Sequence, residues 1–416
     1  MTQRSRKAII IGAGIAGPVT AIFLRRIGVE AHLFEAWPYS TCIGGGLQIA
    51  PNGMHVLAEI GLAEEMIRRG SVAESFDFFS QGGVPLGSIN HNMEQRFGQP
   101  AVNMYRATLN EVLLAKAQAE GVEVTFDKRL ERIEDRADGP IVAHFTDGTS
   151  AESEFVIGAD GVHSAVRRHV VPDGPQPFDT GLIGFGGFIP RRPLEDAEIG
   201  QHMETTFGQS GFFGYGFCSP DPDDGAMWWS TQPSHGIDVA TFRAMDQVAL
   251  KRHLIKLHAG WHGPIPEILQ AAGEIVVTPT LDVATLPNWS RGRTLLIGDA
   301  AHATTPHAGQ GASLALEDGM RLGIAMQSGR ELGTIFQDFE SERRPRTEKI
   351  IARARRNGNQ KREFSPTGAW IRDRMLKLLI PLNQREMDWM YAYDPRVGAS
   401  VTPRPETKDR RDRQAA

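Results

Sequence analysis

Six residues near the start of the chain, Gly12-Ala13-Gly14-Ile15-Ala16-Gly17, carry the G-x-G-x-x-G spacing of a phosphate-binding turn. Gly12 permits a tight turn, Gly14 lets the backbone approach a pyrophosphate, and Gly17 lets a helix pack close to a strand. The helix from Ile15 to Ile27, stopped by Gly28, offers unpaired N–H groups to anionic oxygens. Lys7 to Ile11 and Val29 to Phe34 read as buried parallel strands on either side of this loop and helix. Glu35 ends the second strand, 18 residues beyond Gly17. A carboxylate there accepts hydrogen bonds from ribose hydroxyls and disfavours a 2′-phosphate. This unit is a dinucleotide site that does not by itself distinguish FAD from NAD.

Two later segments narrow the choice. The run Phe155-Val156-Ile157-Gly158-Ala159-Asp160-Gly161, continued by Val162 to Arg167, is a strand entering a glycine turn and a helix start. The run Thr294-Leu295-Leu296-Ile297-Gly298-Asp299-Ala300-Ala301-His302 is a buried strand ending in Gly-Asp, followed by a glycine-rich loop from Pro306 to Ser313. Asp299 at a strand's C-terminal end suits a polyol hydroxyl. Gly309, Gly311 and the N–H groups of Ala312 and Ser313 suit an anionic ring edge at a helix N-terminus. Taken singly, each is also what a structural βα turn looks like. The three in this order point to one shared ligand.

From about Lys7 to about Arg346 the chain resembles the group A flavoprotein monooxygenases of the p-hydroxybenzoate hydroxylase fold, among them salicylate hydroxylase, urate hydroxylase and the tetracycline-inactivating monooxygenases. The resemblance implies an α/β architecture: a Rossmann-like FAD-binding domain, an interleaved antiparallel-sheet substrate domain and C-terminal helices. It implies that Gly12, Gly14, Ala16 and Gly17 hold the FAD pyrophosphate and Glu35, beside Ala36, the adenosine ribose. Gly46 and Gln48, in the run Gly44 to Ile49, fall near the isoalloxazine. Arg106 contacts FAD, and Leu130 lends a backbone contact to adenine. Asp160 lies in a motif linked to FAD and to the nicotinamide cofactor, and Asp299 binds the ribityl chain or the pyrophosphate. The implied chemistry is reduction of FAD by NADH or NADPH as a transient reductant, then transfer of hydroxyl from a flavin hydroperoxide, formed with dioxygen, to an aromatic or similarly electron-rich small molecule.

The chain departs from the pattern at Ala36, where the family often has Arg, with the surfaces of Trp37 and Pro38 in compensation. It has no second G-x-G-x-x-G, which is normal for that family and argues against two-dinucleotide reductases. The rival readings are a non-oxygenating FAD oxidoreductase, reductase-like or halogenase-like, and a non-catalytic nucleotide-sensing module. The halogenase W-x-W-x-I-P signature and a lysine near the flavin are not found, Trp228-Trp229 being the nearest approach. The complete set of flavin motifs argues against the sensing module.

The substrate pocket is expected at Phe185, Phe213, Tyr215, Pro306 and Ala308. The many aromatics there favour a small apolar or aromatic substrate. Alternation puts Phe213, Tyr215 and Phe217 on one sheet face and Phe212 on the other, without saying which face sees the flavin. No catalytic residue is fixed by the sequence. His307 and His202 are the acid/base candidates, while His302 reads as a cap of its turn. Ser-His-Asp order, H-E-x-x-H and P-loop patterns are lacking, so hydrolysis and phosphoryl transfer have no residues to carry them.

These residues need a framework of some size. The chain has 416 residues, 41% apolar and 23% charged, which suits two or three domains at roughly 150 residues each. The expected FAD-binding domain is discontinuous over 1–75, 100–174 and 276–330, and the substrate sheet covers 76–99 and 175–275. A helical segment spans 331–395 and a disordered tail 396–416. With 45 basic and 50 acidic residues the formal net charge is -5, so nucleic-acid binding has no electrostatic footprint. Cys42 and Cys218 match no zinc or C-x-x-C spacing, so no metal is expected. The uncharged run Ala8 to Leu24 is broken by glycines and Pro18, and reads as strand, turn and helix rather than as a signal peptide. A cytoplasmic protein without a membrane span, a monomer or homodimer, is expected. Leu332 to Lys361 reads as a charged helix with a solvated face and a kink at Pro345. Trp370 to Leu382 reads as an amphipathic helix packed on the core or another subunit, with a membrane-surface role as the alternative.

Overall fold

The computed structural model describes residues 6–38, 45–89, 91–136 and 138–400, with the backbone alone for 381–386. Gly44 of the flavin-side run, Cys42 and 401–416 of the expected tail lie outside the described residues, while Ala399–Ser400, expected in that disordered tail, instead pairs as a short strand with Tyr393–Asp394.

The three strands that lead into the motif turns are neighbours. Lys7–Ile11 pairs in parallel with Phe155–Gly158 on one side and Glu30–Phe34 on the other. Thr294–Leu296 pairs in parallel with the outer edge of Phe155–Gly158. Apart from Lys7, Glu30, His32 and Thr294 their residues are apolar on both faces, as a parallel sheet covered by helices requires. Parallel strands all end at the same edge, so Gly12, Glu35, Ala159 and Gly298 emerge side by side. Helices Ala16–Arg26 and Gly311–Met326 pack closely beside this edge. A Cβ on Gly319 would meet Val19 Cγ1 at 2.7 Å, and one on Gly323 would meet Phe23 Cβ at 2.6 Å.

A seven-stranded sheet runs in the order Val276–Asp282, Phe178–Ile189, Ala226–Pro233, Phe212–Phe217, His202–Phe207, Ser75–Ser80, Pro85–Ile89. It is antiparallel except where His202–Phe207 runs parallel to Ser75–Ser80. Val276–Asp282, expected in the cofactor segment 276–330, is instead an edge strand here, because it pairs with Phe178–Ile189 before the chain returns to the parallel sheet.

Side-chain alternation divides the two faces of this sheet. Phe213, Tyr215 and Phe217 point into a core closed by Phe242, Leu254 and Ile268, from helices Val239–Arg243, Gln247–Leu257 and Ile265–Ala271. On the other face the same strand shows Phe212 and two glycines. A Cβ at Gly214 would meet Trp229 Cζ2 at 2.3 Å, and one at Gly216 would meet Met203 Sδ at 2.1 Å.

Leu332–Asn359 is a single helix with Pro345 inside it. Its expected solvated face is instead partly a buried one. Arg343 is 0% exposed and pairs with Glu317 at 2.7 Å and Asp318 at 2.8 Å, both from Gly311–Met326. Arg346 pairs with Glu317 at 2.7 Å. The reason is tertiary: the two helices pack together, and charges matched across them need no water. The final long helix, Pro366–Tyr391, buries Ile380, Met387 and Met390 and leaves Trp370, Met375 and Leu378 exposed. Among the described residues no helix is long and apolar enough to cross a membrane.

Candidate active site

A cavity of about 1330 Å³ opens at the shared edge of the parallel strands and is lined from both large sheets. Sites for one small ligand usually measure roughly 300–1,000 Å³. This one has room for a dinucleotide and a second molecule.

Gly12, Gly14 and Ala16 line one end. Gly12 has φ +103° and a Cβ there would meet the Ala159 carbonyl oxygen at 2.4 Å. Gly17 lies behind the cavity wall, where a Cβ would strike the Gly12 carbonyl oxygen at 2.0 Å. At Gly14 nothing stands within 4 Å of a would-be Cβ, so its missing side chain leaves space at the helix start. That helix has no side-chain cap and no acidic residue in its first turn, so no side chain of its own competes with an anion.

Glu35 is fixed beside this loop. Its Oε2 accepts the Ala13 N–H at 2.8 Å and its Oε1 accepts the Trp37 N–H at 3.1 Å, leaving lone pairs for hydroxyls. Asn110, which sequence reading did not single out, donates to the Ala13 and Gly14 carbonyls, both at 2.7 Å. Ala36 and Leu130 line the same end. There the Arg129 guanidinium lies 5.9 Å from the Trp37 ring, a cation on an aromatic face close to where the family's Arg is missing.

The second turn differs from expectation. Asp160 lines the cavity, but its carboxylate accepts from Ser164 Oγ, from the Ala165 N–H at 2.7 Å and from the Val166 N–H at 3.1 Å. It caps helix Ala165–Val170 and shapes the turn; burial pushes its carboxyl up, against those hydrogen bonds. The side chain that ties this turn to the third is Arg167, also missed. It donates to the carbonyls of Ala300 at 2.9 Å, Asp299 at 2.9 Å and Val162 at 2.8 Å.

Asp299 faces the open cavity, with its carboxyl raised by burial and pulled down by His302, Arg106 and Arg167. His302 sits behind it, its Nε2 at 2.6 Å from Asp318 Oδ2, which also accepts the Gly298 N–H at 2.8 Å. Gly46, Gln48 and Arg106 line the next stretch of wall. Gln48 donates to Asn103 Oδ1 at 3.0 Å. Gly309, with φ +62°, Gly311 and Ala312 line the wall at the start of Gly311–Met326, a second helix with no side-chain cap. Two uncapped helix starts, a ribose-height carboxylate and a polyol-height carboxylate around one space fit FAD.

The remaining half is mainly apolar. Phe78, Phe207, Phe212, Met227, Trp229 and Ile380 line it, as do Pro306 and Ala308. Phe213 and Tyr215 do not: period-two alternation turns them into the helix-covered core on the far face, and their pocket assignment is corrected accordingly. Phe185 borders the cavity, but its ring packs edge-on against Phe242 at 5.4 Å within that same core.

Neither histidine candidate stands as a free base. His202 lies away from the cavity lining, with Nδ1 at 2.7 Å from Ser75 Oγ. His307 lines the cavity, yet its Nδ1 is 3.1 Å from Lys361 Nζ and its Nε2 is buried without a partner. Burial, reinforced by Lys361, pushes its pKa down to about 2, so the ring stays neutral at physiological pH. Lys361, read from sequence as part of a solvated face, instead lines the same half.

The family described as FAD binding domain matches residues 5–354 of this chain. The 3-amino-4-hydroxybenzoate 2-monooxygenase of Streptomyces cremeus is 29% identical over 97% of this chain and 100% of its own length. The 6-hydroxynicotinate 3-monooxygenase of Bordetella bronchiseptica is 28% identical over 94% of this chain and 96% of its own. Among solved structures, Klebsiella pneumoniae HpxO complexed with FAD and uric acid aligns with a TM-score of 0.82 at 25% identity, covering 95% of this chain and 97% of that one.

Proposed function

Because the chain belongs to the FAD binding domain family, we propose that it is an FAD-dependent monooxygenase that hydroxylates a small aromatic or heterocyclic molecule with dioxygen and NADH or NADPH. One observation carries this reading: Gly14, Glu35 and Asp299, from three separate turns, line the same cavity as an apolar pocket large enough for a ring. In this division of labour the parallel-sheet segments hold the cofactor and the seven-stranded sheet holds the substrate.

FAD, when bound, supplies hydride acceptance and the activation of dioxygen. The chain's own tasks are to bind, orient and exclude water. The uncapped starts of Ala16–Arg26 and Gly311–Met326 direct backbone N–H groups at anionic parts of the cofactor. Glu35 takes ribose hydroxyls, and Asp299 takes a hydroxyl of the polyol chain. Phe207, Phe212 and Trp229 form a dry wall that orients a ring and keeps water from the reacting atoms. A cytosolic setting, where reduced nicotinamides are at hand, suits the free, buried Cys218.

The test is a panel of aromatic acids and neutral aromatics added to the FAD-loaded protein with NADH or NADPH. Stimulated nicotinamide oxidation, matched by dioxygen uptake and a product heavier by one oxygen atom, is the expected outcome. Bound FAD with substrate turnover but no dioxygen uptake favours the non-oxygenating oxidoreductase. A colourless protein that binds only nicotinamide favours the sensing module.

A further inference from the structure

Lys361 is only 8% exposed and lines the apolar half of the cavity, with Nζ 3.9 Å from the centre of the Phe212 ring. Its side-chain hydrogen-bond partner among the described residues is His307 Nδ1, at 3.1 Å. No described carboxylate lies within ion-pairing distance of it. Buried arginines elsewhere in the chain are satisfied either by carbonyl oxygens, as Arg167 is, or by carboxylates. Arg343 and Arg346 face Glu317 at 2.7 Å, and Arg372 faces Asp373 at 2.8 Å. A buried ammonium without a counter-ion is unfavourable, and burial pushes the Lys361 pKa down to about 7.

The local packing keeps the amine in that position. Toward the ammonium form of the lysine the neutral His307 ring accepts at Nδ1, which directs the remaining ammonium protons elsewhere. The imidazole is seated against Gly358, where a Cβ would meet His307 Cδ2 at 2.7 Å. Asn357 fixes the same segment by donating from Nδ2 to the His307 carbonyl at 2.9 Å. Gly358, His307 and Asn357 are thus positioning residues for a single amine at the edge of an aromatic pocket.

We infer that Lys361 is the anion subsite of the substrate half, and that the missing counter-ion is the carboxylate of an aromatic acid whose ring lies against Phe212 and Trp229. This rests on the hydroxylase assignment above and names its substrate class. The acid enters charged, gains its ion pair inside the pocket, and is held by one end while the ring is presented for reaction.

The experiment uses FAD-loaded protein without reductant, titrated with 6-hydroxynicotinate and with 3-amino-4-hydroxybenzoate, each beside its carboxamide. Binding is read from the visible flavin spectrum. The wild type is expected to favour each acid over its amide by about tenfold or more. Lys361→Met is expected to bring the ratio below about threefold, and Lys361→Arg to keep it above that value. Equal affinities in the wild type, an unchanged ratio in Lys361→Met, or no spectral response to either acid at millimolar concentration overturns the inference. Should Lys361→Met fail to fold, the wild-type ratio for 6-hydroxynicotinate decides. It must be smaller at pH 9 than at pH 6, because the lysine loses its proton between them while His307, the titratable group against it, does not change. A ratio equal at both values overturns the inference. A protein that hydroxylates rings without any preference for acids keeps the hydroxylase assignment and loses this subsite. A preference for acids without oxygen insertion does the reverse.

Discussion

Arg167 donates from Nη2 to the carbonyl oxygen of Asp299 at 2.9 Å, across 132 positions of sequence. The same guanidinium holds the carbonyls of Val162 and Ala300, so one side chain joins the second and third motif turns. Asp299 has its carboxylate in the cavity and its carbonyl on Arg167. The carbonyl side of that edge is therefore held by the protein's own hydrogen bonds.

Replacing Arg167 by Leu leaves buried carbonyls without donors, at about 1–3 kcal/mol each. The variant is expected to have a lower urea midpoint and to retain less FAD after gel filtration. Wild-type FAD content at wild-type stability would show that the clasp is dispensable.

Gly14→Ala separates folding from binding. Its Cβ meets no protein atom within 4 Å, so unfolding free energy of the apo-protein should change by less than about 1 kcal/mol. FAD affinity should fall by at least about tenfold, as the methyl occupies the pyrophosphate's approach. Gly17→Ala, whose Cβ would strike Gly12 at 2.0 Å, should instead fold poorly. Melting curves and FAD titration distinguish the two.

Arg343→Met takes from Glu317 and Asp318 the cation they share, leaving Arg346 to the first and His302 to the second. Breaking a buried network this way costs about 3–5 kcal/mol, so a steep fall in chemical stability is expected. Because these carboxylates stand on the helix that begins at Gly311, the flavin spectrum of surviving protein should also change.

Acid should act through the same cluster. Burial raises the Asp318 carboxyl, but His302 and Arg343 outweigh it and hold the pKa at about 2. A folded-state value below the unfolded value of 3.8 stabilises the protein above that pH. The contribution is lost as pH falls from about 4 towards 2. Unfolding free energy followed over that range should decline less in Asp318→Asn than in the wild type.

The backbone of the cofactor site was legible because its chemistry is local. Gly12 to Gly17, Glu35, Gly298 and Asp299 announce themselves through turn geometry and strand ends that follow from adjacent residues. What was illegible depends on distant partners. Arg167 and Asn110 act on backbone carbonyls, which carry no sequence signature. Asp160 has the right position in its motif, but its carboxylate is engaged by Ser164 and two N–H groups only five or six residues on. Phe213 and Tyr215 were grouped correctly on one face, yet alternation cannot tell which face a helix layer covers. Arg343 and Lys361 looked like solvated charges because burial by distant parts of the chain is invisible to a pattern read along one segment.

The central claim is that three turns hold one FAD in one cavity. Equilibrium titration of flavin-stripped protein with FAD, in the wild type, Glu35→Ala and Asp299→Ala, tests it most directly. One FAD per chain, with both substitutions weakening that single binding event, is the predicted result. Two nucleotide sites per chain, or Glu35→Ala and Asp299→Ala affecting different ligands, would contradict it.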